Sequence, residues 1–509
     1  MPPELLTPPD APVRPSESAS RRAWVYRRVL GAVLDGRLAP GTRLPSARAL
    51  ALQWEVARGA IDEALAQLQR EGLLERRVGD GTYVAALLPA ALRAPRPQRR
   101  PTPTSDRVLA RIRPLFEAPL GEERAVEVYD DVVRPRALRA SMPALDVFPL
   151  ALWRRFMLHA YDDPLREVLA YGTEAGVPEL REATARYLRL TRSMSCGGDQ
   201  VLILNSPQQA IELALQVLLE PGDRICVEDP GHISVPRLME LARLQVVGVP
   251  LDDEGFDVAA ARRLAPAAAA VYLHPSQQFP LGITTSAARR GELLQWAEET
   301  GAWIIEGDYF GEIVHEREAL PSLQRLDAHE RVLHVGTYTS VMFPSLRLAY
   351  LVVPERLVPV FKAVRGLLGD HTETASQIAL AAFIDSGAMS EHLRTLRLVY
   401  RQRRERLLAV LSRVLSPPVH VGPSPGGIHL CVHLPETLRD IDVVHRLAAR
   451  GVDADALSAH VWQVRGPNGL LLGYGAYDDA AIEAAAVTVG EVLHEALAAA
   501  PPVAAGRAR

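Results

Sequence analysis

Seven short apolar runs separated by amphipathic stretches constrain this chain more than any other feature. They are Val201 to Leu204, Arg224 to Val227, Val246 to Val249, Ala270 to Leu273, Trp303 to Glu306, Val332 to Val335 and Leu348 to Val353. A strand that is apolar on both faces must be covered on both, and the helical stretches in between supply the cover. The pattern predicts a mostly parallel α/β sheet, with ligands seated beyond the carboxyl ends of its strands. It fills only the middle of a 509-residue chain, 48% hydrophobic, which is too long for one core. No apolar run reaches membrane-spanning length, so no membrane partner is expected. Residues 1–20 lack a basic region followed by an apolar one and read as a disordered polar tail rather than a signal peptide. Cys196, Cys226 and Cys431 are odd in number and widely spaced. They fit neither a disulfide framework nor a metal site, and a reducing cytoplasm is the expected setting.

Charge is spread unevenly. Residues 21–85 carry eleven arginines against seven acidic residues, and residues 86–115 carry seven arginines against Asp106 alone. The whole chain is nevertheless at −4, so everything beyond 115 is strongly acidic. Lys362 is the sole lysine. Arginine in place of lysine explains the residue choice but not the asymmetry, and a basic head on an acidic body directs only the head toward a polyanion. Between the two, Leu88 to Pro114 combines arginines with Pro89, Pro95, Pro97, Pro101 and Pro103, a semi-extended linker.

The head reads as three helices and a hairpin. Val25, Val29, Ala32 and Val33 recur at helical spacing, and a turn from Asp35 to Gly41 stops that helix. Ser46 is placed to cap a short helix from Ala47 to Gln53. A third helix, Arg58 to Glu71, puts Ile61, Ala64, Leu65 and Leu68 on one face and Arg58, Gly59 and Asp62 outward. Two short strands then flank Val78-Gly79-Asp80-Gly81. The run Asp35-Gly36-Arg37-Leu38-Ala39-Pro40-Gly41-Thr42-Arg43-Leu44-Pro45-Ser46, with Gly79-Asp80-Gly81-Thr82-Tyr83-Val84, resembles the GntR family of winged-helix regulators. That resemblance implies a recognition helix in the major groove of an operator and a wing near the minor groove. It points to Arg43, Ser46, Arg48, Arg58, Gly59, Gly79 and Gly81 as DNA-contacting residues. Two positions depart from the family: Ala57 stands where a hydroxyl residue is usual, and Asp62 where a second arginine usually points to DNA. A carboxylate facing phosphate is unfavourable, so an unusual sequence preference or modest affinity is expected.

The rest of the chain resembles fold-type I pyridoxal-phosphate enzymes. The motifs are Tyr171-Gly172-Thr173-Glu174-Ala175-Gly176, Gln208-Gln209-Ala210, Val227-Glu228-Asp229-Pro230-Gly231, Pro275-Ser276-Gln277-Gln278-Phe279-Pro280 and Phe343-Pro344-Ser345-Leu346-Arg347-Leu348. With the head attached, the chain is similar to MocR-type regulators. The implied organisation is a winged helix at 21–86, a linker at 87–125, an aminotransferase-like domain at 126–500 and a tail at 501–509. The large α/β part spans about 170–365, and 126–169 with 366–500 form a smaller α+β part.

The resemblance also allows the cofactor site to be checked by position. Pyridoxal phosphate takes an amine, a carboxylate beside its ring nitrogen, phosphate donors and a stacking partner. The family's lysine segment reads Gly336-Thr337-Tyr338-Thr339-Ser340 here, and serine forms no Schiff base. Lys362 falls one element further along. The ring-nitrogen aspartate corresponds to Gly307 in Glu306-Gly307-Asp308-Tyr309, and Asp308 faces the other way at a strand end. The phosphate turn reads Asn205-Ser206-Pro207-Gln208, where Pro207 offers no N–H. The stacking position is His232. Thr337, Tyr309 and Arg347 remain, and Tyr171 is implied to lie near a partner subunit's site. The reading is a non-enzymatic regulator with no bound cofactor, a homodimer whose pocket could receive a small anionic effector through Arg347. Noncovalent pyridoxal phosphate binding, or an active aminotransferase with a regulatory head, stands as the alternative.

Overall fold

The computed structural model describes residues 20–86, 136–162, 168–315, 320–369, 371–463 and 466–499. The expected polar tail (apart from Ser20), the linker 87–125, residues 126–135 and the tail 501–509 lie outside the described residues. The chain divides into two compact units between residues 109 and 110.

The first unit is built on three helices, α1 (Arg21–Leu34), α2 (Ala47–Trp54) and α3 (Arg58–Arg70). Val25, Val29, Ala32 and Val33 of α1 meet Leu50 and Trp54 of α2 and Ile61, Ala64, Leu65 and Leu68 of α3 in one core. Trp24 packs edge-on against Trp54, with ring centroids 5.6 Å apart. Ser46 caps α2, its Oγ accepting from the Ala49 N–H at 3.2 Å. Helix α3 follows Ala57, which supplies no side-chain cap, so its first turn is left open. Strands β1 (Leu74–Arg77) and β2 (Gly81–Val84) pair antiparallel from Leu74 opposite Val84 to Arg77 opposite Gly81. The turn between them puts Gly79 at φ 81° and Gly81 at φ 128°, conformations that side chains with a Cβ resist.

The second unit starts with α4 (Leu150–Asp162) and α5 (Pro178–Arg192). A seven-stranded sheet follows. Its strands are β3 (Val201–Leu204), β4 (Arg224–Glu228), β5 (Gln245–Val249), β8 (Ala270–Leu273), β9 (Trp303–Asp308), β10 (Val332–Thr337) and β11 (Ala349–Val352). The small hairpin β6 (Leu251–Asp252) and β7 (Gly255–Phe256) lies beside it in sequence. The spatial order is β3-β11-β10-β9-β8-β4-β5. Only β11 runs antiparallel to its neighbours. All of the apolar runs are strands of this one sheet. Strands β9 and β10 run past the apolar stretch because Asp308 and Thr337 at their ends are themselves buried.

Alternate residues face two covers. Leu202, Leu204, Leu333, Val335 and Leu351 pack with α6 (Pro207–Leu218). Val201, Ile203, Tyr350 and Val352 point the other way and join the core that includes α5. Helices α7 (Ser234–Leu241), α8 (Val258–Leu264), α9 (Ala287–Thr300), α10 (Leu323–Leu326) and α11 (Val358–Gly369) fill the crossovers, and α12 (Thr374–Asp385) packs on α4 and α5. The long α13 (Ala388–Val414) leads to a four-stranded antiparallel sheet ordered β12 (His420–Val421), β13 (His429–His433), β15 (Gly469–Gly473), β14 (Asp455–Ala456). Helices α14 (Asp440–Ala449) and α15 (Asp479–Ala499) pack with it and with α13. The three cysteines are free and buried. No helix among the described residues is long and apolar enough to cross a membrane.

One glycine is set by this packing alone. Gly336 lies opposite Tyr350 in the β10–β11 ladder, and a Cβ there would fall inside the Tyr350 ring. Gly336→Ala is expected to lower apparent stability by about 1–3 kcal/mol in denaturant unfolding, with partial recovery when combined with Tyr350→Leu.

Candidate functional site

In the head, the outward faces of α2 and α3 and the base of the wing enclose an open hollow of about 1120 Å³. It is larger than most small-ligand sites and lined mainly by polar groups, as a surface for a macromolecular polyanion would be. Arg43, Ser46, Arg48, Arg58 and Gly81 come together there, and Arg76 on β1 joins them. The sequence reading did not single out Arg76, although its place outward on the wing strand was the available signal. Gly59 and Gly79 do not line the hollow; both are exposed, Gly59 in the first turn of α3 and Gly79 in the wing turn. The arginines differ in their neighbours. Arg58 Nε lies 3.4 Å from Asp62 Oδ2 along the α3 surface. Arg43 is 3.9 Å from Asp80, which also accepts from the Tyr83 hydroxyl at 2.8 Å. Arg77 stands over the Tyr83 ring at 4.3 Å.

In the second unit, the expected pocket residues gather at the carboxyl edge of the large sheet. Ser206 follows β3, His232 follows β4, Tyr309 follows β9, and Thr337 ends β10. Ser340 and Arg347 belong to the connection between β10 and β11. Ser206 caps α6, its Oγ accepting from the Gln209 N–H at 3.1 Å, and Pro207 occupies the first helical position. Two of the donors that a helix start could offer are thus committed or missing.

The place of Gly307 is closed from above. A Cβ built there would meet His274 Cδ2 at 2.8 Å, His274 Nε2 at 2.9 Å and the Tyr272 hydroxyl at 3.0 Å. No side chain fits unless those groups move. They belong to a buried chain of hydrogen bonds. Glu228 Oε2 accepts from the His274 backbone N–H at 3.0 Å and lies 3.1 Å from His274 Nδ1. His274 Nε2 is 2.9 Å from the Tyr272 hydroxyl, which is 2.8 Å from that of Tyr309. Burial, followed by the neighbouring Tyr309, raises the Tyr272 phenol well above its usual range, and burial raises Tyr309 as well. Both stay protonated donors. Glu228 Oε1 is buried with no hydrogen-bond partner among the described residues. None of Glu228, Tyr272 or His274 was singled out from the sequence. Tyr272 in an otherwise apolar strand, with His274 just past its end, was the visible hint.

Asp308 faces away from this chain. Its Oδ2 accepts from Arg192 Nε at 2.6 Å, both side chains being almost fully buried, and its Oδ1 accepts from the Gly311 N–H at 3.0 Å. Arg192 also donates to the Gly311 carbonyl at 3.0 Å and to Ser276 Oγ at 2.5 Å. An enclosed cavity beside them holds about 110 Å³, room for a few waters and not for an organic ligand.

One expectation needs correction. Thr337 is buried and its hydroxyl is spent internally, donating to the Leu348 carbonyl at 3.2 Å and lying 2.8 Å from Thr339 Oγ1. It is therefore not a free ligand group. Arg347, expected to receive a small anion, is exposed and has no hydrogen-bond or ion-pair partner among the described residues. Its backbone is left-handed, φ 52°. His232 Nδ1 lies 2.9 Å from Ser234 Oγ, and burial followed by repulsion from His274 pushes its pKa down to about 4. Tyr171 is 87% exposed, and its ring lies edge-on to that of His371 with centroids 6.1 Å apart.

Comparison with known proteins agrees with both halves. Residues 22–84 match the family described as "Bacterial regulatory proteins, gntR family", and residues 160–463 match "Aminotransferase class I and II". The chain is 30% identical over 456 residues to the probable rhizopine catabolism regulatory protein MocR of Rhizobium meliloti, covering 89% of this chain and 90% of that one. It is 30% identical over 475 residues to the pyridoxine biosynthesis transcriptional regulator PdxR of Corynebacterium glutamicum, covering 92% and 96%. Among solved structures, the kynurenine aminotransferase of Pyrococcus horikoshii superposes with a TM-score of 0.69 at 24% identity, covering 75% of this chain and 96% of that one. That likeness carries the fold of the second unit. An arginine-lined winged helix joined to an aminotransferase-shaped domain, matched along nearly its whole length by regulators of the same build, places this chain in the MocR-type branch of the GntR family of transcriptional regulators.

Proposed function

We propose that this regulator uses its aminotransferase-like domain to pair two copies and to sense a small anion, without holding pyridoxal phosphate covalently. The observation that carries the reading is the closed floor at Gly307. The cofactor's ring nitrogen would need a carboxylate there, and His274 and Tyr272 already fill that volume. Ser340 at the lysine position has no amine, and the only lysine, Lys362, sits on α11, whose Val358 and Phe361 are part of the helix-side core. Pro207 removes a phosphate donor. These residues do not fit the cofactor, so no transamination step is assigned to them. Three free, buried thiols suit a cytoplasmic protein.

Arg347 supports the anion. An unpaired guanidinium on a left-handed residue, at the ligand edge of a parallel sheet, is a costly arrangement to keep without use. His232 stays neutral at physiological pH, which leaves Arg347 as the countercharge. Pairing of copies is supported by exposed apolar side chains, Tyr171 among them. Leu169, Leu367 and Leu368 are all more than half exposed. Two heads on one dimer would address two half-sites.

Three outcomes are expected. Incubation with pyridoxal phosphate followed by borohydride leaves no covalent adduct by intact mass, and Ser340→Lys alone binds the cofactor weakly because Gly307 still lacks its carboxylate; a stoichiometric adduct on the unaltered chain overturns the reading. Inorganic phosphate or a short dicarboxylate at about a hundred times its dissociation constant adds about 2.7 kcal/mol of stability, and Arg347→Ala abolishes the thermal shift. A panel without any shift leaves the domain a scaffold only. The pH dependence of stability carries the third. The folded-state value of about 4 for His232 lies below the ordinary 6.5, so between those limits the unfolded chain binds the extra proton. Stability falls as pH drops through that window, and His232→Asn makes the fall shallower in unfolding measured from pH 7 to 4.

A further inference from the structure

The exposed surface of α3 sets an arginine beside a carboxylate at its groove-facing start, and the pair has no evident benefit as electrostatics alone. Arg58 and Asp62 cancel in charge, so together they neutralise no phosphate. At 70% and 55% side-chain exposure, such a pair adds little to helix stability. Phosphate neutralisation falls to Arg48 and Arg76, which line the same hollow from α2 and from the wing strand β1. Geometry gives the pair another use. Asp62 Oδ2 lies 3.4 Å from Nε of Arg58, the nitrogen nearest the chain, and neither terminal nitrogen of the fork makes a hydrogen bond among the described residues. A guanidinium with a carboxylate beside its Nε keeps for a ligand the two parallel terminal donors that match O6 and N7 of guanine in the major groove. The remaining carboxylate oxygen is an acceptor, the type of group that takes the N4 amino hydrogen of cytosine. The first turn of α3 does not obstruct approach. Ala57 brings no cap, and a Cβ at Gly59 would have nothing within 4 Å.

We propose that Asp62 is a positioning and specificity residue: it holds Arg58 end-on so that the pair reads a G·C base pair in the operator. The aspartate that looked like a liability against phosphate is then the reason that Arg58 selects a base instead of sliding to the backbone. This inference rests on the DNA-binding role of the head.

The test uses the full chain. A random duplex library is bound and the retained sequences are read. The consensus and its single-base variants are then titrated at several salt concentrations with the unaltered chain, Arg58→Ala, Asp62→Ala, the double variant and Arg48→Ala. Replacing the contacted G·C pair should weaken the unaltered chain roughly five- to a hundredfold. Arg58→Ala, Asp62→Ala and the double variant should all lose that preference to the same extent, which is the signature of a pair acting as one unit. The salt slope with Arg58→Ala should stay within roughly half a unit of the unaltered chain, whereas Arg48→Ala should lower it by about one. Asp62→Asn, which keeps an acceptor on the same stem, should retain part of the preference, and circular dichroism should show every variant folded. The proposal is overturned if Asp62→Ala keeps full G·C discrimination. It is also overturned if Arg58→Ala weakens all duplexes equally with a slope lowered by about one. Retention of no DNA at all would remove the DNA-binding role of the head itself, a result distinct from either of these.

Discussion

At the carboxyl end of β9 two adjacent residues face opposite sides of one sheet, and the character of the pocket follows from that alternation. Asp308 turns into the interior and is held by Arg192, which also ties the Gly311 carbonyl and Ser276 to the same point. A buried carboxylate costs too much to leave unpaired, so this ion pair fixes both the end of α5 and the loop after β9. Gly307 turns toward the ligand edge and supplies no side chain. Into the vacated volume come His274 and Tyr272 from the neighbouring β8 segment, with Glu228 from β4 behind them. With the backbone of β9 anchored on the Asp308 side, the edge cannot shift to make room, and the packed imidazole and phenol become its floor.

Most of this buried chain is hydrogen-bonded, and Glu228 Oε1 is left without a partner among the described residues. Glu228 Oε2 receives the His274 backbone N–H and faces the imidazole, and the imidazole's other nitrogen faces Tyr272. Polar groups without access to water are tolerable where they find partners, as Glu228 Oε2, His274 and Tyr272 do. Gly307 is thus faced by a set of groups that bond to one another.

How much of this was legible in the sequence differs by scale. The large sheet was, strand by strand, because double-faced burial writes itself as continuous apolar runs, and the winged helix was, because Gly79 and Gly81 and the periodicity of α3 are local signals. The strand ends were underestimated at Asp308 and Thr337, where burial is tertiary and the residues are polar. The place of Gly307 at the end of β9 was also readable by position. The groups packed over it were not: Glu228 and His274 are separated by 46 residues, and nothing in either neighbourhood announces the other. Thr337 was misjudged for the same reason, since the Leu348 carbonyl that claims its hydroxyl lies across a hairpin.

Asp62 shows the converse, a local signal with its meaning reversed by a partner. Four residues apart on a helix, Arg58 and Asp62 are neighbours by construction, and the sequence alone gives their proximity. Read singly, a carboxylate on a DNA-facing helix repels phosphate. Read with the guanidinium whose Nε it approaches, it becomes a support for that guanidinium, and the repulsion is met by the positive charge of the same pair. The basic character of the head then divides into two kinds of arginine. Those with no ion pair among the described residues, such as Arg48 and Arg76, contribute field and affinity, whereas Arg58 contributes direction. A chain that relies on arginine for nearly all of its positive charge can separate these roles only through what stands next to each side chain, and on α3 that neighbour is Asp62.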